Sequence, residues 1–350
     1  MESEPVIGWD LGGAHVKAAR LDASGAVERV VQVPCPLWQG MAHLDVALEQ
    51  VLAMLAPAPI HAATMTGEMA DLFPNRRDGV TRLVAALGER LAGPALRFYA
   101  GGDGFVDAGR APAAARRIAS ANWMASAAVA AARMPAALFV DIGSTTTDLA
   151  VVNGGRVRAR GADDAERLLG GELLYTGVVR TPVMALAGRV PFGGDWVPVI
   201  AERFATAADV YRLTGQLPEG ADLHPAADGG EKSVDGSARR LARMVGRDAE
   251  SAPLRAWRRL AAWLARAQAR HIEDAWELLL SRETLTEDAP VVVAGVGRFV
   301  AAELARRHGR LCIEFGCLVP ATEAERARAT DCAPAVAVAW LAQRDAISGP

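Results

Sequence analysis

LFVDIGSTTTDLAVVNGG, residues 138–155, decides how the rest of the chain is read. An apolar run ends at Asp141-Ile142-Gly143, passes through four consecutive hydroxyl residues, Ser144 to Thr147, and resumes as an alternating strand that stops at Asn153-Gly154. Four hydroxyls in a row suit no hydrophobic core. They suit a turn that holds an anion, where hydroxyls and backbone N–H groups donate together. Asn-Gly between two alternating runs then predicts a hairpin.

The same design stands near the N-terminus. VIGWDLGGAHVKAARLD runs from an apolar strand through Asp10, Gly12 and Gly13 into a second alternating strand that carries Lys17. Asp10 and Asp141 are about 131 positions apart, which is too far for a short solenoid repeat and suits two duplicated half-domains. Two glycine-rich turns of one design predict two walls of one phosphate cleft, since glycine lets backbone N–H groups approach an anion.

At 350 residues the chain is long enough for two cores. A formal net charge of −3 argues against a general nucleic-acid binder, which carries a strong basic excess. No apolar run approaches the roughly 18 residues a membrane span needs, and the acidic start MESEPVIGWD reads as no targeting segment. The expectation is a cytoplasmic protein without a membrane or nucleic-acid partner. Cys35, Cys312, Cys317 and Cys332 are scattered with no Cys-x-x-Cys, so reduced, mostly buried thiols are expected. The six histidines form no His-x-His or His-Glu-x-x-His, which argues against a metallohydrolase built on imidazole ligands.

The pattern predicts strands at 5–11, 15–22 and 26–33, a helix at 43–56, the strand IHAATMTG, a helix at 79–92, the strand ALRFYAGG and one Ala-rich helix around 111–133. It restarts with strands at 137–143, 147–153 and 156–160, and later PVVVAGVG (290–297), a helix at 298–308, RLCIEFG and a final helix at 333–345. Strand meanders followed by alternating helices and strands, twice over, predict an α/β protein with two mixed sheets. The domains are expected at 1–134 and 135–350. Residues 186–285 break the repeat and read as a largely helical insertion in the second domain, with a Gly/Pro/Asp-rich loop at 218–237 that suits a lid. Arg255, Arg258, Arg259, Arg266 and Arg270 oppose an apolar stripe on one insertion helix and read as its solvated face.

GWDLGGAHVK and VDIGSTTTDL resemble the paired phosphate motifs of the actin, sugar-kinase and Hsp70 superfamily, and VVVAGVG resembles its third element, the turn that approaches adenosine. TMTGEMADLF, ASANWMASA, LLGGELLYTGVVRTPV and RFATAADVYRLTG narrow the resemblance to the hydantoinase A/oxoprolinase-like branch. Within it they resemble proteins linked to tetrahydromethanopterin-dependent one-carbon transfer. That group includes a methanofuran-pathway synthase joining an aminomethyl-furanmethyl diphosphate to the phenol of γ-glutamyltyramine. The resemblance implies two RNase H-like (actin-like ATPase) domains around a central phosphate-binding cleft. It implies a transferase that takes a diphosphate substrate and a γ-glutamyltyramine-like acceptor. Two rivals stand beside it: an ATP-dependent hydrolase, ligase or kinase using the same cleft, and a nucleotide-gated binding protein.

Individual residues fill in the expectation. Asp10 and Asp141 are candidate ligands of a hydrated Mg²⁺, with Asp148 as a further metal or metal-water ligand. Lys17 is a candidate phosphate cation. Gly12 and Gly13 form the first grip; Gly143, Ser144, Thr145 and Thr146 form the second. Gly170, Gly171 and Glu172 resemble a Gly-Gly-Glu that opens a helix beside the ligand, with Glu172 either a site residue or a first-turn acid. Glu68, Asp71 and Asp103 follow strand ends and are candidate general bases, Asp71 being equally a helix cap. Arg180 and Thr181 are candidates for grasping substrate or diphosphate, with Lys232, Arg239 and Arg240 weaker. Gly295 and Gly297 are the candidate adenosine turn if ATP binds.

Overall fold

The computed structural model describes residues 3–91, 93, 95–282 and 284–348. One sheet contains β1 (Val6–Leu11), β2 (His15–Leu21), β3 (Val27–Pro34), β4 (Ile60–Met65), β5 (Ala95–Tyr99) and β6 (Phe105–Asp107), in the order β3-β2-β1-β4-β5-β6. The first three form an antiparallel meander, and β4 joins β1 in parallel. β1 is buried along its whole length because it has neighbours on both edges and cover on both faces, the setting in which a strand reads as an unbroken apolar run.

Alternation along β1 divides its duties. Ile7, Trp9 and Leu11 point into a core shared with Leu44, Leu48 and Val51 of the helix Ala42–Met54. The Trp9 indole N–H donates to His61 Nδ1 at 2.9 Å, and burial holds His61 down at about 4, so that this histidine stays neutral. On the other face, a Cβ at Gly8 would overlap the carbonyl of Ala335. The final helix, Ala333–Ser348, therefore lies directly on the backbone of β1. Gln343 ties it down further, donating to the carbonyls of Glu4 and Asp22.

The second sheet contains β7 (Ala136–Ile142), β8 (Thr147–Asn153), β9 (Arg156–Val157), β10 (Leu173–Leu174), β13 (Val291–Ala294) and β14 (Cys312–Glu314). Its order is β10-β8-β7-β13-β14, with β9 also on β8. Central β7, flanked by its hairpin neighbour β8 and the later strand β13, repeats the placement of β1 between β2 and β4. By density of contacts the chain divides into a first unit, Met1–Phe139 with Ala150–Arg158 and Ile313–Pro350, and a second, Val140–Leu149 with Ala159–Cys312.

The segment inside the second unit that breaks the repeat folds as the hairpin β11 (Arg189–Phe192) and β12 (Asp195–Pro198), then helices Ala207–Thr214, Val234–Arg243 and Leu254–Leu280. They pack around Trp257, Leu260 and Leu264. Its loop is pinned rather than loose. Arg240, only 1 % exposed, donates to Asp209 Oδ1 at 2.8 Å and to the Glu231 carbonyl at 3.1 Å, and Lys232 donates to the Asp222 carbonyl.

The expected single helix around 111–133 is instead three pieces: a 3₁₀ turn Ala111–Ala114, a short helix Ala115–Ile118 and a helix Asn122–Arg133. The break is at Ser120, whose φ of 51° is left-handed. Ala119 bridges Met65 at the end of β4, and that pairing takes the chain out of helical geometry. No described helix is long and apolar enough to cross a membrane.

Candidate functional site

In the second unit, β7 delivers Asp141 to a turn closed by the Gly143 N–H donating to the Thr146 carbonyl at 2.9 Å. The hydroxyls of Ser144 and Thr145 lie 3.4 Å apart on it. Thr147 has left the turn. Fully buried, it donates its hydroxyl to the Thr176 carbonyl at 2.6 Å, as the first residue of β8.

The turn is braced from one side by residues 176–180. A Cβ at Gly177 would overlap the Thr145 amide, so only glycine lets that loop lie against the turn. The Gly143 carbonyl accepts from Val178, and the Ser144 carbonyl accepts from Val179 and from Arg180 at 2.8 Å. Thr181 is part of the brace, its hydroxyl accepting from the Gly177 amide at 2.8 Å. Beneath them Gln268, 1 % exposed, donates to the Thr176 hydroxyl and the Gly177 carbonyl and accepts from the Tyr211 hydroxyl. Gly177 and Gln268 were not among the expected site residues. Their signals were a glycine following LLYT and a glutamine on the apolar face of a long helix.

Gly295 and Gly297 come to the same place. Side chains there would overlap Asp141 Oδ1 and the Ile142 side chain, and the Gly297 amide donates to the Ile142 carbonyl at 2.7 Å. The structure thus brings Asp141, the hydroxyl turn, Arg180 and the Gly295–Gly297 turn together within one unit.

Asp148 is held elsewhere. Its carboxylate pairs with Arg167 at 2.8 Å, and Arg167, 1 % exposed, also donates to the Glu172 carbonyl. Burial pushes Asp148 up, against the pull of Arg167 and a hydrogen bond from Thr146. The Gly170-Gly171-Glu172 expectation needs correction, because this stretch ends a helix and opens none. The helix Asp164–Gly170 stops at Gly171 in the left-handed conformation, φ 67°, and Asp163 caps its start. The Glu172 carboxylate is spent on structure, accepting from the Arg160 and Gly161 amides and from Arg282.

In the first unit, β1 delivers Asp10, 4 % exposed, directly across from Lys17 on β2, with 3.8 Å between ammonium and carboxylate. The turn repeats the other one: the Gly12 amide donates to the His15 carbonyl at 3.0 Å, and the Gly13 carbonyl accepts from Leu37. Gly67 packs on the Leu11 carbonyl, which sets the next residue, Glu68, beside the turn. Glu68 is 1 % exposed; its Oε1 accepts from the Ser120 amide at 2.9 Å and hydroxyl at 3.1 Å, and its Oε2 has no hydrogen-bond partner among the described residues. Burial pushes Glu68 up to about 7, against the pull of Ser120 and Arg76. Asp103 is not gathered in with these groups; it forms an exposed pair with Arg117. Asp71 caps no helix either. Asn75 does, accepting from the Asp78 amide at the start of Arg76–Arg90.

Among the described residues no three His, Cys, Asp or Glu side chains cluster as a metal cage. Hydrated Mg²⁺ needs only one or two carboxylates, and Asp10 and Asp141, each at a glycine turn, are of that kind. Asp148, already paired with Arg167, fits that role less well.

The hydantoinase/oxoprolinase family profile matches residues 60–342. A (4-{4-(2-(gamma-L-glutamylamino)ethyl)phenoxymethyl}furan-2-yl)methanamine synthase of Methanocaldococcus jannaschii is 28% identical over 246 residues, covering 70% of this chain and 72% of that protein. A protein of the same name from Methanococcus vannielii is 37% identical over 82 residues, covering 23% of this chain and 36% of that one. Among solved structures, a nucleotide-free acetone carboxylase superposes with a TM-score of 0.55 at 11% identity, covering 87% of this chain and 67% of that chain, a likeness of fold. With the family profile covering most of its length, the chain belongs to the hydantoinase/oxoprolinase family.

Proposed function

We propose that this chain is a transferase of methanofuran biosynthesis that condenses an aminomethyl-furanmethyl diphosphate with the phenol of γ-glutamyltyramine and releases diphosphate. The observation that carries the reading is the match over 70% of the chain to a synthase whose named product joins a furan to a γ-glutamylaminoethyl phenol through a phenoxymethyl ether. The braced hydroxyl turn supports it, because a leaving diphosphate needs donors fixed in advance of the reaction.

In this reading the bond between the furan methylene and the diphosphate oxygen breaks, and its electron pair leaves with the diphosphate. The furan ring delocalises the methylene cation. The phenol oxygen then forms the new ether bond. In the second unit Gly143, Ser144, Thr145 and Thr146 hold the leaving diphosphate, with Arg180 as a further cation; in the first unit Lys17 and the backbone at Gly12 and Gly13 are the candidate anion donors. Glu68 takes the phenolic proton; Asp103, on its exposed pair, is the weaker candidate for that step. Asp10 in the first unit and Asp141 in the second are each a carboxylate that would hold Mg²⁺, which when bound would supply positive charge to the diphosphate oxygens. We place the duplication boundary at 134/135 and the protein in the cytoplasm with small-molecule partners.

The test is turnover without nucleotide. Purified protein with Mg²⁺ and the furan diphosphate should release diphosphate and form the ether only when γ-glutamyltyramine is added. Product that appears only with ATP overturns the reading in favour of an ATP-dependent enzyme of the same fold.

A further inference from the structure

We propose that Gln268 is a positioning residue for anion binding: through its side-chain amide the helical insertion holds the hydroxyl turn Gly143–Thr146 in the shape that receives a diphosphate. The inference deepens the function proposed above and rests on its diphosphate. Its action runs through Thr176 and Gly177 to the turn.

Gln268 interrupts its own helix. On Leu254–Leu280 the buried stripe runs Trp257, Leu260, Leu264, Gln268, Ile272, so an amide stands where the spacing calls for an apolar side chain. A leucine would suit the stripe, and burying an amide costs free energy unless its polar atoms find partners. They do. Nε2 donates to the Thr176 hydroxyl at 2.7 Å and to the Gly177 carbonyl at 2.9 Å, and Oε1 accepts from the Tyr211 hydroxyl at 2.8 Å. The amide fits only one way round, because a carbonyl accepts and never donates. Nε2 must face Gly177, which leaves Oε1 for Tyr211. Tyr211 is fixed in turn. Its helix, Ala207–Thr214, starts at a capping box of Thr206 and Asp209 and pairs with the brace, the Ala207 amide donating to the Thr181 carbonyl at 2.8 Å and the Ala208 amide to the Val179 carbonyl at 3.1 Å. Burial pushes the Tyr211 phenol well above its ordinary range, so it keeps the proton it donates.

The two residues that Gln268 grips both lie on the turn. The Gly177 Cα rests against the peptide between Ser144 and Thr145, where a Cβ would overlap the Thr145 nitrogen and the Gly143 carbonyl. The Thr176 carbonyl accepts from the hydroxyl of Thr147, the residue at which the turn becomes β8. Gln268 therefore sets the height of the Thr176–Gly177 segment over the turn. Without its donation to the Gly177 carbonyl the segment shifts, and the Ser144–Thr145 peptide shifts with it. A multiply charged oxyanion gains most from donors that are fixed before it arrives.

The experiment is calorimetric titration of inorganic diphosphate with Mg²⁺ into the wild-type protein, Gln268→Leu and Gln268→Glu, from mildly acid to mildly alkaline pH, with a melting temperature at each pH. Affinities are compared as the ratio of variant to wild type at the same pH, which removes the titration of diphosphate itself. Gln268→Leu should weaken diphosphate about tenfold or more at every pH. Gln268→Glu should bind close to wild type at the acid end, where the buried carboxyl keeps its proton and donates it to the Gly177 carbonyl. At the alkaline end it should fall to the level of Gln268→Leu, because a carboxylate then faces that carbonyl with nothing to donate. A residue that only supported the fold would move the melting temperatures and leave the affinity ratio of Gln268→Glu flat across pH, and a flat ratio, whatever its value, overturns the inference. So does wild-type affinity in Gln268→Leu, which leaves the proposed reaction standing. If Gln268→Leu fails to fold, the pH course of Gln268→Glu decides alone. A wild-type protein that binds no diphosphate removes the transferase reading and the inference with it.

Discussion

The turns after β1 and β7 share one backbone and hold different charges. In both, the second residue after the aspartate donates its amide to the carbonyl three residues on, Gly12 to His15 and Gly143 to Thr146. In both, a later glycine packs on the turn, Gly67 in one unit and Gly177 in the other. Seven residues after the aspartate the copies part. Lys17 faces Asp10 in the first unit, whereas the second has Asp148, held by the buried Arg167. The first turn is bare glycine beside an ion pair; the second carries hydroxyls, with Arg180 fixed on its backbone. The two turns share a hydrogen-bond frame and differ in what the frame presents.

The sharpest way to break this comparison is at the seventh residue. Arg167→Met leaves the Asp148 carboxylate buried without its cation and should cost roughly 3–5 kcal/mol in denaturant unfolding. Lys17→Met should cost stability less, since its ammonium stands 3.8 Å from Asp10 where Arg167 donates to Asp148 at 2.8 Å, and should instead lower turnover. Equal stability losses would mean that the two positions do the same structural job.

A second test asks whether the two aspartates still do one task. Asp10→Ala and Asp141→Ala should each reduce turnover at least about a hundredfold with the melting transition retained, as expected for groups that organise charge in the reaction. Unchanged turnover in one of them would assign the chemistry to the other turn.

Glu68 follows Gly67 at the first turn where Val178 follows Gly177 at the second, and pH exposes the difference. Its carboxyl is pushed up to about 7 in the folded chain from 4.5, so the folded state holds a proton that the unfolded state has lost. Stability therefore falls as pH rises from about 4.5 to about 7 and levels off above. Glu68→Gln removes that dependence and should gain roughly 3 kcal/mol on the wild type at pH 8, read from urea unfolding across the range. If Glu68 takes the phenolic proton, the same variant loses the rise in turnover that the wild type shows through pH 7.

The smallest expected effect lies within the hydroxyl run. Thr145→Val should weaken diphosphate about tenfold with stability retained, by removing a donor at the turn. Thr147→Val should do the reverse, lowering stability by about 1–3 kcal/mol because the Thr176 carbonyl loses its donor, with little change in affinity. Similar affinity losses would mean that Thr147 also faces the anion.

Much of the frame was legible in the sequence because the signals are local. Buried strands, glycine turns and the Asn-Gly hairpin are set by neighbours a few residues apart, and β8 falls where alternation places it, at Thr147–Asn153. The break at Ser120 was not legible, since it depends on Met65 and Glu68, more than 50 residues earlier. Gly171 was misread for a related reason: Gly-Gly-Glu suits either end of a helix, and the outcome turned on Arg282 and the amides of residues 160 and 161 claiming Glu172. The brace on the second turn was hidden too, because Gln268 reaches Thr176 and Gly177 from about 90 residues away.

The missing side chain at Gly8 also bears on how the chain is made. β1 is synthesised more than 300 residues before the surface that covers it, at Ala335 and Ala339. At roughly 5–20 residues per second, a ribosome needs between about a quarter of a minute and a minute to travel from one to the other. For that time the central strand of the first sheet has one face with no native cover, a nascent-chain state in which a holdase chaperone would find its substrate. Contacts this distant in sequence also slow folding by the entropy of closing so long a loop, so the first unit should be the slower of the two to mature.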